Sequence, residues 1–322
     1  MSIKTIGVLT SGGDAPGMNA AVRAVVRTAI SNGLKVKGIM RGYNGLIEGE
    51  IIDMDIRSVS EIIHRGGTVL YTARSPKFKT EEGIQTAVEN CKKHGIEGIV
   101  VIGGDGSFRG ARDLSLHGIP CVGVPGTIDN DINCTEYTIG FDTAMNTVVQ
   151  MVDRLRDTTQ SHERCSVVEV MGRGAGWLAL HTAIAVGATA VLVPEIKFDL
   201  KKDILDKIAA TKATGKKHFI IVVAEGVGKV TDIAEEIEKA TGIESRATIL
   251  GHVQRGGRPS VRDRVMASQM GHAAVNLLMQ GIGNRVVAFQ NNHILNYDIY
   301  EALQMSKPFD IQSYEMLNEI SI

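Results

Sequence analysis

The sequence has few of the features that mark membrane or nucleic-acid-binding proteins. Its apolar runs, such as Phe219–Ala224, are far shorter than the roughly 20 residues that span a bilayer. Lys and Arg number 35 and Asp and Glu number 36, so the formal net charge is −1. A chain with so little net charge has no overall positive field that would attract nucleic acid or a membrane surface. We therefore expect neither partner.

Cysteine is also scarce. The four cysteines, at positions 91, 121, 134 and 165, lack the spacing of metal ligands. The first residues lead directly into the apolar run Ile6–Leu9, without the basic start or the cleavage site of a signal peptide. These observations predict a cytoplasmic protein whose thiols stay reduced.

What the sequence does contain is an alternation of short β-branched runs and longer helical patterns. Its 322 residues correspond to about two domains. Continuous apolar runs are typical of parallel strands that are covered on both faces. The alternation therefore predicts an α/β fold, with two αβα sandwich lobes and mainly parallel sheets. The predicted strands are Ile6–Leu9, Val36–Met40, Ile99–Ile102, Cys121–Val124, Val167–Val170, Val191–Val193, Ile220–Ala224, Thr248–Leu250 and Val286–Phe289. Predicted helices include Met18–Asn32, Ala144–Asp157, Trp177–Ala185, Asp232–Ala240 and Arg262–Met279.

Two glycine-rich turns each follow a predicted strand. In Thr10–Asn19, free N–H groups at the start of the next helix favour phosphate, although a tight turn without a ligand explains this segment equally well. Gly103–Ser107 places Asp105 between glycines, where its carboxylate could hold Mg²⁺ beside a phosphate chain or could cap the next helix. Neither turn matches the Walker A or the dinucleotide-binding pattern. Together, the two turns favour a nucleotide.

A third turn, Pro125–Asp131, again follows a predicted strand. Its carboxylates Asp129 and Asp131 could divide two tasks of phosphoryl transfer, one as general base and one near the metal. Asp and Asn are also the usual residues of an Asx turn, and the segment taken alone favours that interpretation.

Basic side chains also cluster in predicted turns, several of them next to predicted strands. One guanidinium group can bind two phosphate oxygens at once, so these residues suit a phosphorylated small molecule as ligand. The alternative interpretation is that they are solvated surface charges. These residues are Arg74, Arg164, Arg173, Arg246, His252 and Arg255.

Two further basic groups are candidate anion sites, although solvated faces explain them at least as well. Arg23 and Arg27 share one helix face, where like charges repel unless an anion lies between them. Lys216, Lys217 and His218 precede a predicted strand.

Taken together and in this order, these segments resemble the bacterial ATP-dependent 6-phosphofructokinases over essentially the whole chain. The most specific markers are Gly103–Ser107, Pro125–Asp131, Met171–Arg173 and Gly251–Gly257. The resemblance implies a phosphofructokinase-like fold and a glycolytic kinase. Its reaction would transfer the γ-phosphoryl group of ATP to the 1-hydroxyl of fructose 6-phosphate. It also implies a homotetramer whose active and effector sites are completed at subunit interfaces.

The resemblance also assigns roles to matching residues on the ATP side. Asp105 would hold Mg²⁺, with Asp131 close to the metal environment. Asp129 would be the general base, Thr127 would lie beside the transferring group, and Arg173 would stabilise its charge. The residues that would bind ATP are Gly13, Arg74, Ser75, Gly104, Asp105, Gly106 and Ser107.

A second set of roles concerns the sugar phosphate. Met171 and Gly172 would shape the sugar pocket, and Glu225 would bind a sugar hydroxyl. Thr127, Asp129 and Arg173 would also contact this substrate. The ligands of its phosphate would be Arg164, Arg246, His252 and Arg255, the first two from a neighbouring subunit.

The resemblance further implies an effector site for ADP as activator and phosphoenolpyruvate as inhibitor. Its matching residues are Arg23, Arg27, Arg156, Lys216 and His218. Thr189 stands where the family commonly has Glu, Thr214 where it has Lys or Arg, and Ile56, next to Arg57, where it has Arg. Losing one cation should weaken effector binding by a few kcal/mol at most. We therefore expect weaker or altered effector control with catalysis intact.

Several alternatives stay open. Pyrophosphate-dependent relatives typically carry Asp at the position of Gly106 and Lys at that of Gly126, so the two glycines favour ATP. A nicotinamide-dependent oxidoreductase lacks support because its fingerprint is missing. A non-catalytic nucleotide sensor would have lost Asp129 or Asp105. Tagatose 6-phosphate is a further candidate acceptor, as a side substrate.

The resemblance implies an ATP-binding lobe of residues 1–139 and 253–305, and a sugar-phosphate-binding lobe of residues 140–252 and 306–322.

Overall fold

The computed structural model describes residues 3–321 of the chain. These residues form two compact units, described separately here. The first comprises Met1–Thr143 with Arg255–Lys307, and the second comprises Ala144–Gln254 with Pro308–Ile322. Within the described residues, no helix is both long enough and apolar enough to cross a membrane.

The first unit contains a seven-stranded sheet. Five inner strands run parallel, and β3 and β11 close the two edges in antiparallel orientation. The strand order is β11-β10-β5-β4-β1-β2-β3. The strands are β1 (Thr5–Ser11), β2 (Lys35–Ile39), β3 (Ile51–Met54), β4 (Gly98–Gly103), β5 (Cys121–Pro125), β10 (Arg285–Gln290) and β11 (His293–Asp298).

Helices accompany this sheet because their apolar residues recur at helical spacing. In α1 (Met18–Ser31), for example, the buried residues include Val22, Val25, Val26 and Ala29. The other helices of this unit are α2 (Gly42–Glu48), α3 (Glu81–Lys93), α4 (Asp105–Leu116), α9 (Val261–Met279) and α10 (Ile299–Gln304). A buried apolar cluster that includes Leu9, Val101 and Phe108 forms part of its core.

The second unit contains a four-stranded, entirely parallel sheet in the order β7-β8-β6-β9. Its strands are β6 (Cys165–Val170), β7 (Ala190–Leu192), β8 (Phe219–Ala224) and β9 (Ser245–Ile249). Its helices are α5 (Phe141–Ser161), which begins in the first unit, α6 (Trp177–Ala185), α7 (Asp206–Ala213), α8 (Val230–Thr241) and α11 (Ile311–Ile320). All of β8 is buried, as expected for a parallel strand covered on both faces.

The predicted α/β class and all nine predicted strands are confirmed, with small shifts in bounds. The largest shift concerns β9, which begins at Ser245 although the apolar pattern predicts Thr248–Leu250. Arg246 therefore lies within a strand, and its expected position in a turn is wrong. The edge strands β3 and β11 were not predicted because both carry exposed or half-buried residues at most positions.

Candidate active site

The three predicted ligand turns meet at one edge of the first sheet. Strands β5, β4 and β1 are consecutive, and Ser11, Gly103 and Pro125 at their ends are paired across the sheet. Hydrogen bonds join the turns that follow: the Ser107 Oγ donates to Ser11 O over 3.1 Å, and the Gly126 N–H donates to Gly103 O over 2.9 Å. The carboxyl edge of a parallel sheet is where α/β proteins bind ligands.

The second turn leads directly into α4, with Gly104 as the N-cap residue. No side chain caps this helix among the residues that the structure describes, so the capping role considered for Asp105 is wrong. Asp105 instead pairs with Arg109, whose Nε lies 3.0 Å from its Oδ2. Gly103 is required for close approach, because an added Cβ would overlap Ser11 O. An uncapped helix start beside a carboxylate suits a phosphate chain and its metal.

The residues predicted to bind ATP are distributed over three neighbouring segments. The hydroxyl of Thr72, two residues before Arg74, donates to Gly12 O over 2.7 Å, so this segment lies against the first turn. Arg74 is exposed, whereas the Oγ of Ser75 is buried and has no hydrogen-bond partner among the described residues. Ser107 is buried, with its hydroxyl engaged by Ser11 O.

The third turn is shaped by Thr127 and Asn130 rather than by Asp129. The Asp129 N–H donates to Thr127 Oγ1 over 3.2 Å, and Asn130 has a left-handed φ of 50°. Asp129 is only 7% exposed, and within the described part of the chain its Oδ1 accepts no hydrogen bond. The nearest cation recorded is Arg255, whose Nη2 lies 4.0 Å from that oxygen. A buried carboxylate oxygen without a donor can accept a proton from a bound hydroxyl group.

Two charged residues, one at this turn and one at the segment that follows it, were not identified from the sequence. Lys307 donates from Nζ to Asn130 O over 3.0 Å, and burial lowers the pKa of Lys307 to about 8 while nearby Asp131 opposes that change. Asp263, in the first turn of α9, is fully buried. Neither belongs to a glycine-rich turn, and a lysine near the C-terminus or an acid at a helix start is ordinary in sequence.

In the second unit, the predicted sugar ligands follow the ends of β6 and β8. Glu225 accepts a hydrogen bond from the Arg173 N–H over 2.5 Å, and Arg173 has a left-handed φ of 60°. The fully buried Gln254 accepts from the Met171 N–H over 3.1 Å. Burial, together with the neighbouring Glu225, raises the pKa of the Glu169 carboxyl. The sequence analysis gave Gln254 no role of its own, although it lies within the Gly251–Gly257 marker, and it did not identify Glu169, which resembles an ordinary polar residue of a strand.

The sugar-phosphate ligands are not gathered at that edge. Arg164 precedes β6 and Arg246 lies near the start of β9, so both are at the amino edge of the sheet. Both guanidinium groups pair with Glu244, the Arg164 Nε at 2.6 Å. Exposed His252 lies beyond β9 in the second unit. Arg255 belongs to the first unit, where it donates to Asp14 O over 3.1 Å.

The predicted effector residues form one basic group in each unit. In the first, burial and the neighbouring Arg27 lower the pKa of Arg23, and the buried Nε of Arg27 has no partner among the described residues. In the second, burial and then Arg156 lower the pKa of Lys216, and burial, Lys216 and Arg156 lower that of His218. Each group therefore brings like charges close together, which disfavours their charged forms.

Comparison with known proteins defines the family to which this fold belongs. The phosphofructokinase family model matches residues 5–278, and the chain belongs to that family. It is 56% identical over 320 residues to the ATP-dependent 6-phosphofructokinase of Bacillus cytotoxicus, covering 99% of this chain and 100% of that one. The Bacillus licheniformis protein of the same name is 55% identical over the same shares.

Solved structures agree on the fold. Phosphofructokinase from Saccharomyces cerevisiae superposes with a TM-score of 0.89 at 34% identity, over 99% of this chain. The chain spans about half of that protein, 48% of its length. Pyrophosphate-dependent phosphofructokinase from Marinobacter aquaeolei superposes with a TM-score of 0.84 at 23% identity, over 98% of this chain and 91% of that one, and shows the fold alone.

Proposed function

We propose that the chain transfers the γ-phosphoryl group of ATP to the 1-hydroxyl of fructose 6-phosphate, giving fructose 1,6-bisphosphate and ADP. Relatives named ATP-dependent 6-phosphofructokinase match almost the whole chain at 55–56% identity. The structural observation that carries the proposal is the buried Oδ1 of Asp129, which accepts no hydrogen bond from the described residues and lies where three ligand turns meet.

In this mechanism Asp129 accepts the proton of the sugar hydroxyl as the hydroxyl attacks the phosphorus. Phosphoryl transfer needs little covalent chemistry from a protein, so positioning and charge stabilisation supply most of the rate enhancement. Thr127 fixes the backbone of Asp129 through its hydroxyl. The uncapped start of α4 and Arg74 would hold the phosphates of ATP, and Arg173 would stabilise charge on the transferring group.

The residues present fit Mg²⁺. Among the described residues, no three His, Cys, Asp or Glu side chains are grouped to enclose an ion. Mg²⁺ in kinases usually needs one or two carboxylates together with substrate phosphates and water. Asp105, a carboxylate at the helix start, would supply such an oxygen, with Asp131 near it. When bound, the ion would neutralise negative charge on the phosphates.

We also propose a homotetramer, in which Arg164 and Arg246 serve the sugar phosphate of a neighbouring subunit. Both lie at the amino edge of the second sheet, whereas Met171 and Glu225 follow strand ends at its carboxyl edge. A strand of this length spans roughly 20 Å at about 3.3 Å per residue, too far for the two sets to contact one phosphorylated sugar within one chain. In a homotetramer, Arg164 and Arg246 of a second copy would reach the sugar phosphate bound by Met171 and Glu225 of the first.

The effector site remains part of the proposal. ADP and phosphoenolpyruvate both carry phosphate, which the basic group of Arg156, Lys216 and His218 and the pair Arg23 and Arg27 would bind. Thr189 offers this region no carboxylate; its hydroxyl is buried and lacks a partner among the residues described. Weak or altered effector control is the expected outcome.

The test is a coupled assay for fructose 1,6-bisphosphate with fructose 6-phosphate, Mg²⁺, and either ATP or pyrophosphate. Asp129→Asn should lower kcat with ATP by about 10²- to 10⁴-fold, the usual contribution of a general base. Asp53→Asn, which changes a surface carboxylate paired with Lys37, is the matched control and should retain activity. Activity with pyrophosphate alone would favour the other donor class. Inactivity with both donors would refute the proposal.

A further inference from the structure

Asp263 is a buried carboxylate that accepts hydrogen bonds from a single neighbouring segment. Its Oδ1 accepts from the Tyr137 hydroxyl over 2.5 Å and from the Gly140 N–H over 2.7 Å. Its Oδ2 accepts from the Thr143 N–H over 2.9 Å and from the Thr143 hydroxyl. A buried charge is costly unless it is well hydrogen-bonded, so this degree of satisfaction marks a built arrangement.

The segment held by Asp263 is the one that supports the third turn. Between Tyr137 and Gly140, the Thr138 hydroxyl donates to Thr127 O over 2.7 Å and the Ile139 N–H donates to Pro125 O over 2.9 Å. Ile139 also forms an isolated parallel bridge with Gly126. The two residues that hold the turn therefore lie directly between two residues that Asp263 holds.

This segment also packs against the start of α1. An added Cβ at Gly17, the N-cap residue of α1, would lie 2.6 Å from the Ile139 Cγ2 and 3.5 Å from the Asp263 Cβ. The segment is therefore packed between α1 and the start of α9. Any movement permitted by losing the carboxylate would be transmitted toward Thr127 and Asp129, because packed interiors transmit strain.

Stabilisation of helix α9 alone does not explain why the Asp263 carboxylate contacts a distant segment of the chain. An acid in the first turn of a helix is favourable to the helix itself. Asp263 is nevertheless engaged with Tyr137, Gly140 and Thr143, whose chain segment continues from the turn carrying the general base. Its hydrogen bonds thus join α9 to the support of the third turn.

We propose that Asp263 is a positioning residue that fixes the third turn, and with it Thr127 and Asp129, through the segment 137–143. This inference rests on the proposed kinase function. Asp263 does not touch substrate; it acts through Tyr137 and Gly140. Displacement of reacting groups by about 1 Å can reduce catalysis by roughly 10²-fold, so the inference predicts a large effect on kcat.

The experiment compares Asp263→Asn and Tyr137→Phe with the wild type in the coupled assay. Asp263→Asn replaces one carboxylate oxygen by an NH2 group, which cannot accept the hydrogen bonds that Tyr137, Gly140 and Thr143 donate to this side chain. It should lower kcat by about 30- to 100-fold while the KM for ATP stays within about twofold. Tyr137→Phe removes one donor and keeps the ring, so it should fold even if the first variant does not. It should lower kcat by about 3- to 10-fold.

A matched control separates positioning from stability. Asn90, on α3 in the same unit, donates to the carbonyl oxygens of Leu46 and Ile47, each over 2.9 Å. Asn90→Ala should lower the unfolding temperature while kcat stays at the wild-type value. Hydrogen exchange supplies a readout other than activity, since the Ile139 amide should exchange faster in Tyr137→Phe than in Asn90→Ala.

The outcomes are distinguishable. A wild-type chain inactive with both donors refutes the proposed function. An active wild type with unchanged kcat and Ile139 exchange in Tyr137→Phe overturns the positioning role. A reduction of kcat of the same size in Asn90→Ala also overturns it, because general destabilisation would then explain the effect.

Discussion

Gly106 offers a sharp test of donor choice, because a side chain can be added there without disturbing the free protein. It is exposed in the first turn of α4. Apart from the adjacent residues and the backbone of its own helix, no described atom lies within 4 Å of a Cβ added at this position. Replacing a helical glycine should raise stability by up to about 1 kcal/mol. An acid at this helix start adds a further few tenths of a kcal/mol. Gly106→Asp should therefore unfold at the same or a higher temperature than the wild type.

The same substitution should impair the use of ATP. A new carboxylate roughly 4 Å from a phosphate charge repels it by about 1 kcal/mol in bulk water and by about 4 kcal/mol at an effective dielectric constant near 20. Because this helix start is exposed, the lower half of that range applies before the nucleotide excludes water. We expect kcat/KM for ATP to fall by between about 5-fold and 70-fold.

The measurement is kcat/KM for ATP in the coupled assay, with the unfolding temperature of each variant recorded alongside. Gly106→Asn has nearly the same size without the charge, so the difference between the Asp and Asn variants isolates electrostatic repulsion. If Gly106→Asp stays within about threefold of the wild type, this turn does not hold the phosphates of ATP. An equal loss in both variants would assign the effect to size.

Two further predictions concern polar groups away from this turn. Gln254→Leu leaves Met171 N and Gly251 O without the hydrogen bonds that Gln254 provides, so it should lower the free energy of unfolding by about 1–3 kcal/mol. It should also raise the KM for fructose 6-phosphate more than the KM for ATP. Equal changes in the two KM values would contradict the assignment of Gln254 to the sugar side. His117 has a raised pKa, caused by hydrogen bonds with Asp113 O and then with Glu81. Its stabilisation is complete below the ordinary pKa of 6.5 and is lost as pH rises through the higher folded value. His117→Gln should therefore lose up to about 1 kcal/mol in acid and almost nothing in base; an equal loss in unfolding experiments at both pH values would contradict this.

The sequence predicted the interior of both sheets well, because continuous apolar runs report burial on both faces. It also placed the three ligand turns after strands, and their meeting followed from parallel pairing of β1, β4 and β5. The edge strands gave no such signal. In β3, Ile52 and Asp53 are exposed, so the segment lacks the pattern of a buried strand.

The supporting groups could not be predicted for a different reason. Asp263 and Gln254 are buried only because distant segments fold over them, and their sequence neighbours look like ordinary helix starts or turns. Likewise, nothing in the local pattern indicates that Glu244 holds both Arg164 and Arg246. Roles carried by pairing between distant segments appear only in three dimensions.

The adjacency of Ser11, Gly103 and Pro125 also has a consequence for biosynthesis. These residues are neighbours in the sheet although they lie far apart along the chain. A chain emerging from the ribosome therefore cannot assemble all three turns until β5 has appeared, and long-range strand pairing of this kind forms slowly. Asp263, which holds the support of the third turn, is synthesised later still. Nascent fragments that end before α9 would thus lack the support of the third turn, and we expect them to bind nucleotide poorly until α9 has been synthesised.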